Sequence, residues 1–228
     1  IFGRVIKDAS GISVVSEYLG KAMKRIFECN YTIIPNVVNT EIFYQAETQS
    51  SSFGFIHVSG LDYQKNFEQI IEAVKILKAN STHSFDLIVY GPDNNRFTEL
   101  IKSYKLENVV RFKGEVVQDV LAKHLRASDA LILYSRFETF GCVVIEAHAC
   151  GLPVVVSDIP VMREIVSENN GVFARPNDPV HLAAVMERLI ENRNQFKEDQ
   201  IAQEAKERFA YPVVGARIAK WYDEVLKG

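Results

Sequence analysis

YSRFETFGCVVIEAHACGLPVVVSDIPVMREIV, residues 134–166, holds the end of a strand, a Gly-containing turn, a helix and a second strand in one run. The strand that leads into it, residues 130–134, is apolar until its last position, and Glu138 stands in the loop that follows. A helix opens near Gly141 and carries a second acid, Glu146, eight positions after the first. Cys150-Gly151-Leu152-Pro153 ends that helix, since Gly suits the left-handed position after a helix and Pro cannot continue one. Val154-Val155-Val156 then reads as a short buried strand. Such a strand–turn–helix–strand unit presents the bare amides of a helix N-terminus to the crevice beyond the strand ends, where open α/β sheets receive phosphate.

The same alternation extends in both directions. Residues 12–16 predict a short strand, 17–27 a helix with Tyr18, Ala22 and Phe27 in helical spacing, and 31–34 a strand halted by Pro35. Residues 39–52, polar and ending in Ser50-Ser51-Ser52, read as a loop or linker. Strands are expected at 53–58, 85–90 and 109–112, and helices at 67–78, 96–104 and 117–126. Ile70, Ile71, Val74 and Leu77 share one helix face, whereas Leu87-Ile88-Val89 and residues 130–133 are continuously apolar, as strands covered on both faces must be. After Val172-Phe173 the chain reads as helical over 179–191, 195–209 and 212–227. The fold class is therefore α/β: a doubly wound, mostly parallel, Rossmann-like sheet with a helical C-terminal tail.

Bulk properties exclude several functions. The 228 residues are 47% hydrophobic and 24% charged with a net charge of −3, so no broad positive field points to nucleic acid or an anionic membrane. Cys29, Cys142 and Cys150 are odd in number and lack CxxC spacing, which fits free thiols in a reducing compartment. No apolar run is long enough to span a bilayer, and the start has no signal-peptide character. Opening at Ile1 rather than Met fits a fragment or processed product. His57, His83, His124, His148 and His181 show no metal-ligand spacing, so no metal is expected. A GxSxG elbow and a GxGxxG fingerprint are both absent.

The residues also resemble a known family. Glu138 and Glu146 at their spacing, the Phe140-Gly141 pair and the EAHACGLPVVVSD run resemble the donor-binding, C-terminal half of retaining glycosyltransferases of the GT-B fold, family 4 (glycosyl transferases group 1). IPNVVNTEIF (34–43), HVSGLDYQKN (57–66), LIVYGPD (87–93) and VRFKGEV (110–116) follow the same family's order, so that the likeness runs over roughly residues 12–226. The resemblance implies that residues 1–34 are a crossing segment or remnant of an absent N-terminal acceptor domain and that 35–210 bind the nucleotide-sugar. It also implies that 211–228 form a C-terminal helix packing toward the absent domain. Ile218, Trp221, Tyr222 and Val225 would then either meet that partner or cap this domain's own core.

By resemblance, Lys65 meets the donor diphosphate and Glu138 grips sugar hydroxyls, for which a carboxylate offers two strong acceptors. These two are the catalytic candidates. The amides of Phe140, Gly141, Cys142 and Val143 would face the diphosphate, Thr139 would add a backbone contact, and Glu146 would bind the ribose hydroxyls. The nucleobase would lie where Gly91 and the Arg111-Phe112 strand end meet the crevice, held mainly by main-chain groups, so that UDP-, GDP- and ADP-linked donors stay open. Glu164 matches a recurrent family acid and equally suits a helix surface.

The chain departs from the family pattern at Gly60, where an Arg that shares the diphosphate is usual; Arg136 is the residue placed to compensate. Val37, Asn39 and Ile159-Pro160 also depart from it. The implied function is transfer of a sugar from a nucleotide-sugar to an acceptor hydroxyl with retention, with no cofactor. The acceptor, a glycan or lipid-linked molecule, would be delivered by the absent domain, without which the isolated chain is expected to be inactive. Polysaccharide or glycoconjugate synthesis in the cytoplasm follows, with peripheral attachment to the inner membrane face left open. Two other readings stand beside it: a sugar-nucleotide epimerase or phosphorylase on the same architecture, and a degenerate donor domain that binds or scaffolds.

Overall fold

The structure, a computed structural model, describes residues 2–46 and 52–227. Residues 47–51 of the expected 39–52 linker, Gly228 of the expected 211–228 helix, and Ile1 lie outside the described residues. Six strands form one sheet: Phe53–Val58 (β3), Phe85–Tyr90 (β4), Val110–Phe112 (β5), Ala130–Leu133 (β6), Val154–Ser157 (β7) and Gly171–Ala174 (β8). Their order is β5-β4-β3-β6-β7-β8 and every pairing is parallel. The chain winds outward from β3 in one direction and then restarts beside it at β6. Loops leaving the C-terminal ends of β3 and β6 therefore diverge and open a crevice between them, the switch point of a doubly wound sheet.

Helices Phe67–Asn80 (α3), Asn95–Ser103 (α4), Gln118–Arg126 (α5) and Cys142–Ala149 (α6) make the crossovers. Pro179–Glu191 (α7) packs beside α3, and Glu198–Phe209 (α8) beside α6. Each face of the sheet thus carries its own apolar core: Phe55, Leu87, Val89 and Ile132 meet Ile70, Val74 and Leu182 on one side. Ile56, Leu131, Leu133, Val154 and Val156 meet Val144, Ile145 and Phe209 on the other. Burial on both sides is why these strands are continuously apolar.

Boundaries differ from the sequence expectation by a few residues, for identifiable reasons. Asn94 accepts from the Phe97 amide, so α4 begins at Asn95, one residue early. Val172 and Phe173 belong to a sixth strand, β8, that the helical reading of this region does not name.

The N-terminal portion comprises the short helix Phe2–Asp8 (α1), the strand Ser13–Val14 (β1), the helix Glu17–Lys24 (α2) and the strand Thr32–Ile33 (β2); β1 and β2 pair in a separate parallel sheet. The C-terminal helix Tyr211–Lys227 (α9) lies against this portion: an ideal Cβ on Gly11 would come within 2.6 Å of the Val225 side chain and 3.0 Å of Trp221. Only Val214 of α9 is buried, and Tyr222 and Leu226 remain exposed.

Candidate functional site

The loop after β3 is built tightly. Ser59 donates its amide to the Tyr90 carbonyl at 3.0 Å, and a Cβ on Gly91 would lie 2.3 Å from the Ser59 carbonyl oxygen, so only Gly fits there. Gly60 is exposed, and a Cβ on it would meet only an Asp62 carboxylate oxygen, 3.9 Å away. Leu61 takes a left-handed conformation (φ 55°). Asp62 then caps the short 3-10 turn Tyr63–Lys65 by accepting the Lys65 amide at 3.1 Å. That turn delivers Lys65 to the crevice at the N-terminus of α3.

From the other side, the loop after β6 brings Glu138. Its carboxylate is 5% exposed and three side chains donate to it: Lys65 Nζ at 2.6 Å and Ser135 Oγ at 2.8 Å to Oε1, Gln64 Nε2 at 3.2 Å to Oε2. A buried carboxylate needs such partners, because it forfeits its hydration. Two loops separated by more than seventy residues are thereby stitched at the switch point. Gln64 also donates to the Phe137 carbonyl at 3.0 Å, the Arg136 amide to the Gln64 carbonyl at 2.8 Å, and Ser157 Oγ to the Ser135 carbonyl at 2.6 Å beneath.

The loop continues into α6 through Gly141, whose φ of +97° favours glycine. The first amides of a helix have no carbonyl a turn earlier to accept them, so those at the start of α6 carry the partial positive charge of the helix end. Cys142 is exposed and its Sγ accepts from Asn36 Nδ2 at 3.3 Å; burial foremost, then the nearby Glu146 carboxylate, raises its thiol pKa. Glu146 follows one turn later, half-buried, with its pKa raised by burial and its carboxylate making no hydrogen bond or ion pair to any described residue. It is a desolvated acid without a partner, which is what a ligand-binding carboxylate looks like before the ligand arrives.

The remaining candidates divide. Thr139 is exposed and its carbonyl accepts from Ser16 Oγ at 2.7 Å; the Phe140 ring is buried against Phe209, and Val143 is half-buried. Arg136 donates Nε to the Tyr63 carbonyl at 3.1 Å and Nη1 to Asn177 at 3.0 Å and stacks on Tyr63, so its charge braces the loops rather than joining Lys65. Arg111 pairs with Asp86 at 3.0 Å, near the start of β4, and the Phe112 ring packs against Phe67; neither side chain reaches the Lys65–Glu138 cluster. Gly91 contributes close backbone packing. Glu164 accepts the amides of Glu17 and Tyr18, each at 2.8 Å, and so caps α2.

Sequence reading missed Gln64, Ser135 and Ser16. Ser135 reaches Glu138 only three positions on, a spacing visible in the sequence, whereas Gln64 bonds to Phe137 and Glu138 and Ser16 to Thr139, in each case more than seventy positions away. A side chain's hydrogen-bonding role at such a distance has no local signal. Among the histidines, His57 and His148 are buried and bonded to carbonyls. His83 lies near Glu187 and Glu191 at the surface, a grouping the sequence spacing did not reveal.

Comparison with known proteins bears on this geometry. The family model described as "Glycosyl transferases group 1" matches residues 38–208. An uncharacterized glycosyltransferase of Methanocaldococcus jannaschii is 34% identical over 139 residues, covering 59% of this chain and 35% of that protein. Among solved structures, sucrose-phosphate synthase from Thermosynechococcus elongatus superposes with a TM-score of 0.89 at 20% identity, over 99% of this chain and 61% of that one. Anabaena HepE in complex with UDP and glucose gives 0.84 at 21% identity, over 96% and 65% respectively. In each case this chain spans less than two thirds of the matched protein's length.

Proposed function

The chain belongs to the group 1 glycosyl transferases, and on that premise we propose that it is the donor-binding half of a retaining, GT-B-type transferase of family 4. The carrying observation is the Lys65–Glu138 pair, set at the switch point beside the N-terminus of α6. A nucleotide diphosphate entering the crevice offers Lys65 a more highly charged partner than Glu138, and the α6 amides take the opposite side of the same phosphates. Release of Lys65 frees the Oε1 lone pairs of Glu138 for sugar hydroxyls, while Ser135 and Gln64 keep the carboxylate in place. Glu146, lacking a protein partner, takes the ribose diol.

Transfer then needs an acceptor hydroxyl brought in by the part of the protein beyond this chain. Its oxygen bonds to the anomeric carbon on the face from which the diphosphate leaves. The C–O bond to phosphate breaks, and the hydroxyl proton passes to the departing phosphate oxygen. Charge is neutralised by Lys65 and backbone amides, so the reading requires no metal and no cofactor. Nucleotide-sugar supply places the reaction in the cytoplasm, where the missing half would decide any contact with the inner membrane face. No described helix is long and apolar enough to cross a membrane.

Calorimetric titration of this chain with UDP, GDP and ADP, each with and without Mg²⁺, tests the reading. Binding of one nucleotide is expected, unaltered by Mg²⁺, lost in Glu146→Ala and weakened at least tenfold in Lys65→Met, the scale of a charge-assisted contact. Absence of binding to all three by the folded chain would favour the alternative of a degenerate scaffold. One observation supports that alternative: Gly60 supplies no cation and the Arg136 guanidinium is engaged elsewhere.

A further inference from the structure

Beneath the loop that carries Lys65 lies a polar chain unusual for the centre of a parallel sheet. His57, in β3, is fully buried, with one ring face stacked on Phe67 at 5.0 Å. Its Nδ1 lies 2.9 Å from the Ile132 carbonyl of β6 and its Nε2 lies 2.7 Å from Ser59 Oγ. Ser59 Oγ in turn accepts the Leu61 amide at 3.1 Å.

The directions of these bonds follow from what each group can do. A carbonyl only accepts, so Nδ1 carries the proton. Nε2 is then the acceptor in a neutral ring, and the Ser59 hydroxyl donates to it. The hydroxyl oxygen, with its proton committed, receives Leu61 N–H. Burial holds the imidazole pKa down at about 4, in keeping with a neutral ring at neutral pH.

We propose that His57 is a positioning residue for the donor site: through Ser59 it holds Leu61 in its left-handed conformation and thereby sets where Gly60 and Lys65 stand. The strained residue is the one the relay grips. Leu61 has φ 55°, unfavourable for a side chain bearing a Cβ, yet its side chain is buried and its amide is tied to Ser59. Gly60, just before it, is exposed and unrestrained by neighbours. Four residues after Leu61, the Asp62-capped turn presents Lys65 to Glu138. The far end of the relay is anchored on β6, the strand that delivers Glu138. One imidazole thus spans both sides of the switch point.

The inference rests on the donor-site reading, and its test separates the two. NMR of ¹⁵N-histidine-labelled chain at pH 7 should show His57 protonated at Nδ1 only, and hydrogen exchange of the Leu61 amide should quicken in Ser59→Ala. Nucleotide affinity, measured with whichever of UDP, GDP or ADP the wild type binds, should fall about tenfold in Ser59→Ala and in His57→Phe, the scale of one lost hydrogen bond. Ser59→Thr, which keeps the hydroxyl, should retain it. The double variant His57→Phe/Ser59→Ala should be no weaker than either single, since both cut one relay. The thermal midpoint of His57→Phe should fall by several degrees, because the buried Ile132 carbonyl loses its donor, so affinities are compared at a temperature where circular dichroism shows each variant folded. An Nε2-protonated ring, additive losses, or unchanged affinity in Ser59→Ala would overturn the proposal. If the wild type binds no nucleotide while the tautomer and the Leu61 exchange behave as described, the donor reading fails and the relay stands as a loop support alone.

Discussion

Two glycines on facing sides of the same loop show how much a single Cβ decides. At Gly91 the added carbon would sit 2.3 Å from the Ser59 carbonyl oxygen, a backbone atom held by the sheet and unable to yield. Gly91→Ala is therefore expected to destabilise the chain by about 1–3 kcal/mol, the usual cost of overpacking a tight site, and to displace Ser59 and with it the β3 loop. Urea unfolding checks the first effect and nucleotide titration the second. At Gly60 the nearest atom is 3.9 Å away and belongs to the Asp62 carboxylate, so a side chain is accommodated. Gly60→Arg should leave the thermal midpoint unchanged and tighten nucleotide binding by up to about tenfold, one added charge-assisted contact. No gain would mean that Lys65 and the α6 amides already saturate the diphosphate. The sequence marks Gly60 as a position where the family pattern has Arg, but it gives no steric reason for glycine at Gly91. What separates them is the approach of Ser59 to Gly91, a tertiary distance.

At the scale of elements, strands β3 and β4 span the residues the sequence predicts, because a mostly apolar run closed by the turn formers Ser59-Gly60 and Gly91-Pro92 leaves little choice of C-terminal end. Helix α7 was equally legible from Asp178 at the N-cap and Pro179 at the first turn. β8 escaped because only four residues are involved and the next recognisable signal is helical. The attachment of α2 was invisible for a different reason. Its N-terminus is capped twice, by Ser16 locally (Leu19 amide, 3.2 Å) and by Glu164 from across the fold, and only the first cap has a sequence signature. Glu164 places a full negative charge at a helix N-terminus, which the helix dipole favours. Ser16 meanwhile donates to the Thr139 carbonyl in the loop that leads to α6. Helix α2 is in this way fastened to the site loop, and loosening it should be felt there. Glu164→Gln is expected to cost about 1 kcal/mol, and Ser16→Ala a similar amount. Hydrogen exchange of the Glu17, Tyr18 and Leu19 amides should accelerate in both variants, and in Ser16→Ala the exchange of Phe140 and Gly141 as well. Exchange confined to α2 in both would show that the Ser16–Thr139 contact transmits nothing to the site.

Taken whole, the molecule buries two imidazoles that the unfolded chain leaves free, and this dictates how its stability follows pH. His57 and His148 both titrate near pH 4 in the fold, each because burial disfavours the charged ring, against about 6.5 when unfolded. Between those values the unfolded chain binds protons that the folded chain refuses, so their contribution is complete above about pH 6.5 and is lost as the pH falls toward 4. Each gap is worth roughly 3 kcal/mol, enough for the pair to remove a large part of a typical domain's stability. Glu146 works in the opposite sense, since burial raises its pKa and its neutral form is favoured in the fold; it offsets part of the acid loss. On the alkaline side Cys150, raised to about 12 chiefly by burial, is stabilising below about pH 9 and costs stability as the pH climbs from 9 toward 12, with buried Tyr134 acting in the same direction. Urea unfolding across the pH range should accordingly show a plateau from about 7 to 9 with a fall on each side. His148→Gln, whose amide can still donate to the Asn170 carbonyl that His148 Nε2 meets at 3.1 Å, should take about half the slope from the acid limb. An acid limb unchanged in this variant would mean that carboxylates, not the two buried rings, govern acid unfolding.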